Sequence, residues 1–326
     1  MHLPSSIDLH HFVVLGPGRS RPRLALACVL FTAAIFMSGA CTPRPTAYSV
    51  EDTETSGRIT VAAAPDVREL VANEIAGFHS TYPQATFDLR EPESSGQVIG
   101  ALLAGRADVA AAGRELEDEE RRMARAGGIE IEGHRIAQDA VCFVVSAENP
   151  VENVSVGELQ RIWLGEKRDW AELGGRGGRI VPVLPPLSGD LARAFVQRVM
   201  DGQPMRAPSM VESSDSAVAA RVALIPTAIG VVPLALAGQP GLKLLSVAPL
   251  DGLAYVDPDM ESVHDGRYPL TRYINLYLRT RPARLAGGFV TFVASQPGQQ
   301  LVLDSGRVPT AVPLRFVRRS PLRASH

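Results

Sequence analysis

The chain is 326 residues long, 45% hydrophobic and 21% charged, a composition that builds packed cores and excludes an intrinsically disordered chain. Lys plus Arg number 33 against 35 Asp plus Glu, a formal net charge of −2, so charge gives no reason to expect a nucleic-acid partner. Cys28, Cys41 and Cys142 are its cysteines; two lie in the N-terminal segment, which leaves no pair for an internal disulfide framework.

Residues 1–40 read as an export signal. Arg19, Arg21 and Arg23 precede the apolar run Leu24 to Met37, and Ser38, Gly39 and Ala40 lead to Cys41, the charged, apolar and small order of a secretory signal. A helix over that run would span about 21 Å, short of the roughly 30 Å hydrocarbon core, which disfavours a permanent membrane span. Ser38 to Cys41 also resembles a bacterial lipobox, although a larger aliphatic residue is usual where Ser38 stands. That resemblance implies lipidation at Cys41, with double acylation giving stable anchorage in the cell envelope; the alternative is an ordinary cleaved signal with an incidental cysteine. Residues 41–57, rich in Pro, Thr, Ser and acidic side chains, read as a flexible tether.

From Arg58 onward short apolar runs alternate with amphipathic stretches, the pattern of an α/β fold with mainly parallel strands. Ile59 to Ala63 reads as a strand. Val67 to Tyr82 carries Val67, Leu70, Val71, Ile75 and Phe78 at helical spacing and stops at Pro83. Ala85 to Leu89 and Ala107 to Ala112 read as strands around a short helix, Gln97 to Ala104. Asp118 to Ala126 is a charged helix, acidic at its start and Arg-rich at its end, as the helix dipole favours. Ala140 to Ser146 is an apolar strand, and Ser155 with Glu158 forms a capping box for a helix to Leu164. Val181 to Leu184 is a strand and Leu191 to Met200 a helix. Further strands are predicted at Ile229 to Val232, Leu242 to Leu245 and Ile274 to Leu278, with a helix from Leu285 to Ala294.

Several of these segments, in this order, resemble the periplasmic phosphate-binding family of ABC importers. The resemblance rests on Ser94-Ser95-Gly96 and the segment from Gly113 to Glu120; on Phe143 to Pro150 followed by Trp163, Gly165 and Trp170; and on Ala228 to Val231, Tyr268 to Leu270 and Gln296 to Gln299. It implies a two-lobed periplasmic-binding-protein-like fold with two hinge crossovers. Lobe one would be residues 57–138 plus 267–326, and lobe two residues 139–266. It also implies a monomer that takes a small anion, phosphate first, and delivers it to an ABC importer permease, with the membrane reached through the lipid alone.

Capturing an oxyanion needs converging donors, and the free N–H groups at helix starts supply them. Three loops qualify: Ala63 to Asp66 with Ala64 and Asp66, then Ser94, Ser95 and Gly96, then Ser188, Gly189 and Asp190. Arg114 would add a charge-assisted fork; alternatively it pairs with Glu115 or Asp118, and the serines and glycines serve only as helix caps. The chain departs from the family's pattern in several places. Alanines, Pro65 and Asp66 replace its first-loop hydroxyls, Asp190 replaces a Thr, Leu184 replaces an Arg, and Gly113 replaces Ser or Asp. Asp66 and Asp190 would repel a dianion unless they cap their helices from outside the cleft. No nucleophile–base pair or Gly-Lys-Ser/Thr loop is recognisable, so no enzymatic activity is expected. His79, His134 and His264 are too far apart to suggest a metal site, no cofactor is expected, and Trp163, Trp170 and Cys142 read as core residues.

Overall fold

The computed structural model describes residues 51–310. The predicted signal, Cys41 and most of the predicted tether lie outside them, as do residues 311–326.

The chain opens with β1 (Gly57–Ala63), α1 (Arg68–Thr81), β2 (Ala85–Arg90), α2 (Ser95–Leu103), β3 (Val109–Ala112) and α3 (Asp118–Ala126). It continues through β4 (Ile131–Ser146), β5 (Asn153–Ser155), α4 (Val156–Trp163), β6 (Val181–Leu184), α5 (Asp190–Arg198), β7 (Met210–Val211), α6 (Asp215–Leu224) and β8 (Ala228–Pro233). Then follow β9 (Leu242–Leu244), β10 (Ser246–Ala248), α7 (Met260–His264), β11 (Thr271–Arg279), α8 (Arg284–Ala294), α9 (Gln296–Asp304) and β12 (Val308–Pro309). Strand order is β2-β1-β3-β11-β4-β8-β6-β7, with β9 and β12 also paired to β4. β1 is parallel to β2 and β3, and β8 is parallel to β6, whereas β11 runs antiparallel to β3 and β4. Parallel strands covered on both faces need continuous apolar runs, and the fully buried β3 and β8 have them.

Two cores form along this sheet. The first gathers Ile59, Val61, Leu70, Phe78, Leu102 and Phe289. The second gathers Phe143, Trp163, Trp170, Phe195 and Tyr268. β4 serves both, pairing with β11 from Ile131 to Ala140 and with β8 from Val141 to Val145. The chain therefore leaves the first core between Ala137 and Ala140 and returns between Leu270 and Ile274. At this passage Asp139 faces Arg272 across the strand pair.

Several readings need correction. The sheet, expected to be mainly parallel, is mixed: β4 runs antiparallel to β8, β9, β11 and β12. The strand predicted from Ala140 begins at Ile131, because its first half carries the exposed polar residues Glu132 to Arg135, which hide it from a hydrophobicity reading. α6 was not anticipated, although Ser214 accepts the Ala217 N–H as its cap and Asp215 sits in its first turn. The short parallel pair β5–β10 also escaped the sequence. Residues 51–56, read as tether, dock on the body: Asp52 accepts the N–H groups of Arg284 and Leu285 at 3.2 and 3.3 Å, and Ser56 is buried. A polar stretch can be ordered by capping a helix start without any apolar periodicity.

Candidate functional site

The starts of α2 and α5, which belong to different cores, meet. Ser94 is the cap of α2 and accepts the Gln97 N–H, while Gly96 is exposed. Ser95, one residue into the helix, turns its hydroxyl away from its own helix and donates to Asp190 Oδ2 at 2.5 Å. The Gly113 N–H, just past β3, donates to the same oxygen at 2.8 Å. Arg114 Nε lies 3.4 Å from Asp190 Oδ1. Donors on elements of the first core thus converge on one carboxylate from the second, and that carboxylate is 3% exposed.

Arg114 also corrects an expectation. Its fork is held by Glu120, at 2.8 and 2.7 Å, with the side chain mostly buried, and it contacts neither the Glu115 nor the Asp118 carboxylate. Glu120 reaches it because the same side chain closes the capping box of α3 by accepting the Glu117 N–H. Arg193 on α5 pairs with Glu117, adding a further link between the two halves.

The first loop contributes less than predicted. The Ala64 N–H is already spent on the Ala111 carbonyl at 3.0 Å, so it does not face a solute. Asp66 Oδ2 instead accepts from Arg272 at 2.6 Å, and its Oδ1 is buried without a partner. Ser188 is exposed, and the Gly189 N–H donates to the Pro186 carbonyl at 3.0 Å. Asp66, Ser188 and Gly189 border a cavity of about 430 Å³ together with Ser214 and Asp215 at the start of α6. Neither Asp66 nor Asp190 caps its helix from outside; both face inward onto cations. Leu184 is buried in the second core, where the family's pattern has an Arg.

The cation that sequence reasoning missed is Arg272. It is 4% exposed and bridges Asp66 and Asp139, each at 2.6 Å. Asp139 also accepts the N–H groups of Ala140 and Leu234. Burial pushes Asp139 up, but Arg272, Arg307 and the Ala140 N–H outweigh it and hold the carboxyl below its ordinary value. Burial likewise works against the Arg272 charge, and Asp139 and Asp66 more than restore it. Asp190 goes the other way: burial and the Asp66 charge raise it, and the Ser95 hydroxyl, Arg272 and Arg114 only partly compensate. Asp215 is pushed up to about 6 by burial and then by Asp66. An Asp opening the apolar run of β4 was the available signal for the Arg272–Asp139 pair; Arg272 itself lies in a strand that also carries Thr271, Asn275 and Arg279, and it does not stand out there.

The remaining singled-out residues are structural. Trp163 packs against Phe195 at 4.8 Å between ring centroids, and Trp170 donates to the Thr227 carbonyl. His79 sits against the Ala85 carbonyl and His134 near Glu132. Among the described residues no group of His, Cys, Asp and Glu is arranged to hold a metal, and no helix is long and apolar enough to cross a membrane.

Comparison with known proteins agrees with this architecture. The pattern of the PBP superfamily domain matches residues 49–297. A phosphate-binding protein PstS from Bacillus subtilis is 28% identical over 259 residues, covering 78% of this chain and 81% of the relative. Among solved structures, an ABC-type phosphate transport receptor from Vibrio cholerae superposes with a TM-score of 0.66 at 20% identity, over 77% of this chain and 100% of that one. PstS from Borrelia burgdorferi gives 0.58 at 20% identity, over 77% and 98%.

Proposed function

The chain belongs to the PBP superfamily, and we propose that it is an exported, lipid-anchored solute-binding protein that captures a small oxyanion, phosphate first, in a cleft between its lobes for an ABC importer permease. The single observation that carries the reading is the convergence of the Ser95 hydroxyl, the Gly113 N–H and the Arg114 guanidinium on one buried carboxylate from the opposite half. Groups arranged to hold a carboxylate in a desolvated spot are arranged for an oxyanion, since charge-assisted N–H and O–H donors serve both. The names of the relatives favour phosphate among oxyanions. In this reading residues 57–138 and 267 to the C-terminus form lobe one, residues 139–266 form lobe two, and the strand pair at Asp139 and Arg272 is the hinge. The anchor is Cys41, and the protein works as a monomer.

Isothermal titration of the mature protein with phosphate, sulfate and related oxyanions tests anion capture. Heat with phosphate is expected, and silence with every oxyanion would remove the reading. Radiolabelled palmitate tests the anchor: label should enter the wild type and be lost in Cys41→Ser. A second reading, a surface sensor or partner-binding lipoprotein with a degenerate cleft, is favoured by two observations: the donors are already engaged by Asp190, and Leu184 is buried in the second core. Titration separates them, because a degenerate cleft takes up no oxyanion at any concentration, whereas a solute-binding protein does.

A further inference from the structure

We propose that the Asp190 carboxylate is a built-in occupant of the anion position, a tethered competitor that a free oxyanion must displace, so that residue 190 sets how tightly this protein holds its solute. The inference rests on the anion-capture reading above and deepens it.

Three features of the geometry argue for it. Asp190 lies in the first turn of α5, where an acidic side chain ordinarily turns back to its own helix N-terminus. Here it reaches across to the other half instead, and its Oδ2 accepts from both Ser95 and Gly113. The first-core donors are therefore satisfied by an anion carried on the second core, the role a captured solute would fill when it holds two lobes together. Gly113 is matched to this arrangement: a Cβ at that position would lie 2.6 Å from Asp66 Oδ2, 2.7 Å from Arg272 Nη1 and 3.2 Å from Asp190 Cβ. The absence of a side chain at 113 is what lets Asp190 and Arg272 approach.

The occupant is also held under opposition. Asp66, Arg272, Arg114 and Ser95 all face it, and Asp66 and burial disfavour its charge. Arg114 is shared with Glu120 and Glu117, so its charge is not devoted to Asp190. A carboxylate so placed is a replaceable ligand. While it is in place the position is closed to solutes, and the apparent dissociation constant is the intrinsic one divided by the fraction of molecules in which Asp190 has swung out. With hydrogen bonds from two donors and a nearby guanidinium favouring the inward state, that fraction falls below about one in ten, and apparent affinity falls at least about tenfold.

The test compares wild type, Asp190→Ala and the near-isosteric Asp190→Asn by isothermal titration with inorganic phosphate, and by small-angle scattering without it. Asp190→Ala is expected to bind phosphate at least about tenfold more tightly than wild type, and its unliganded form to be more expanded, with phosphate restoring the wild-type dimensions. Asp190→Asn keeps the shape and loses the charge, so it serves if the alanine variant folds poorly; it too should bind more tightly than wild type. Wild type binding as tightly as both variants would overturn the proposal. If no form binds phosphate, the capture reading fails, and scattering still decides on the occupant: unliganded variants more expanded than wild type would keep it as a clasp between the halves, and equal dimensions would end it.

Discussion

Replacing Arg272 by Met probes the passage between the two cores. The substitution keeps a flexible apolar stem and removes the guanidinium that pairs with both Asp66 and Asp139. Breaking a buried ion pair from one side costs about 3–5 kcal/mol, because the orphaned charge stays desolvated. Asp139 is 0% exposed but keeps the N–H groups of Ala140 and Leu234 at 2.8 and 3.0 Å, whereas Asp66 loses its Arg272 hydrogen bond while its other oxygen is already without a partner, so the expected loss spans that range, about 3–5 kcal/mol at pH 7. The sign of the pH dependence follows from the same groups. In the wild type Asp139 is held below its ordinary value, so its contribution is present at neutral pH and is lost only as pH falls through that lowered value. Without Arg272, burial dominates and raises Asp139, which then protonates at mildly acidic pH and sheds its penalty. The deficit of Arg272→Met should therefore be largest at pH 7 and shrink toward pH 4. Urea denaturation followed by the fluorescence of Trp163 and Trp170 measures it at both pH values. A second substitution, Asp139→Asn, should recover part of the loss. A deficit under about 1 kcal/mol at pH 7, the size of an exposed pair, or one that does not shrink on acidification, would refute the reasoning.

Further outcomes follow from other buried groups. Glu74 is 1% exposed, neither of its oxygens is hydrogen-bonded, and burial raises it from 4.5 to about 8. Its stability contribution is full below 4.5 and lost as pH rises through about 8. Glu74→Gln should then be near neutral at pH 4 and stabilising by about 2–4 kcal/mol at pH 9; thermal melts with equal shifts at both pH values would contradict this. Gly230→Ala would place a Cβ 2.5 Å from Val222 Cγ2 and 2.8 Å from Val218 Cγ1, and such overpacking costs about 1–3 kcal/mol, seen as a lower urea midpoint; an unchanged midpoint would show that α6 yields freely. Burial raises the Cys142 thiol well above its ordinary value, so a thiol reagent should label it only on unfolding, and prompt labelling of the native protein would contradict its placement.

Much of the fold was legible because its signals are local. The helical spacing of Leu70, Val71 and Phe78, the box of Ser155 and Glu158, and the apolar runs at Val181 and Ile229 each mark an element close to its observed bounds. Where an element is half exposed, as in the first part of β4, hydrophobicity does not mark it. The candidate site was legible only in part. Helix starts at Ser94 and Gly189 are written in the sequence, but their meeting depends on contacts between residues 95 apart, such as Ser95 and Asp190. The partners of Arg114 were misjudged because Glu120 turns inward from α3 while Glu115 faces Arg135. Arg272 went unnoticed because its partners, Asp66 and Asp139, come from distant segments and give it no local mark.

The most direct test is a crystal structure of the Asp190→Ala protein grown with saturating phosphate. Tetrahedral density within hydrogen-bond reach of Ser95 Oγ and the Gly113 N–H, beside Arg114, is the result expected if an oxyanion takes the place that the Asp190 carboxylate now fills. Water alone at that point, or phosphate held elsewhere on the molecule, would contradict it.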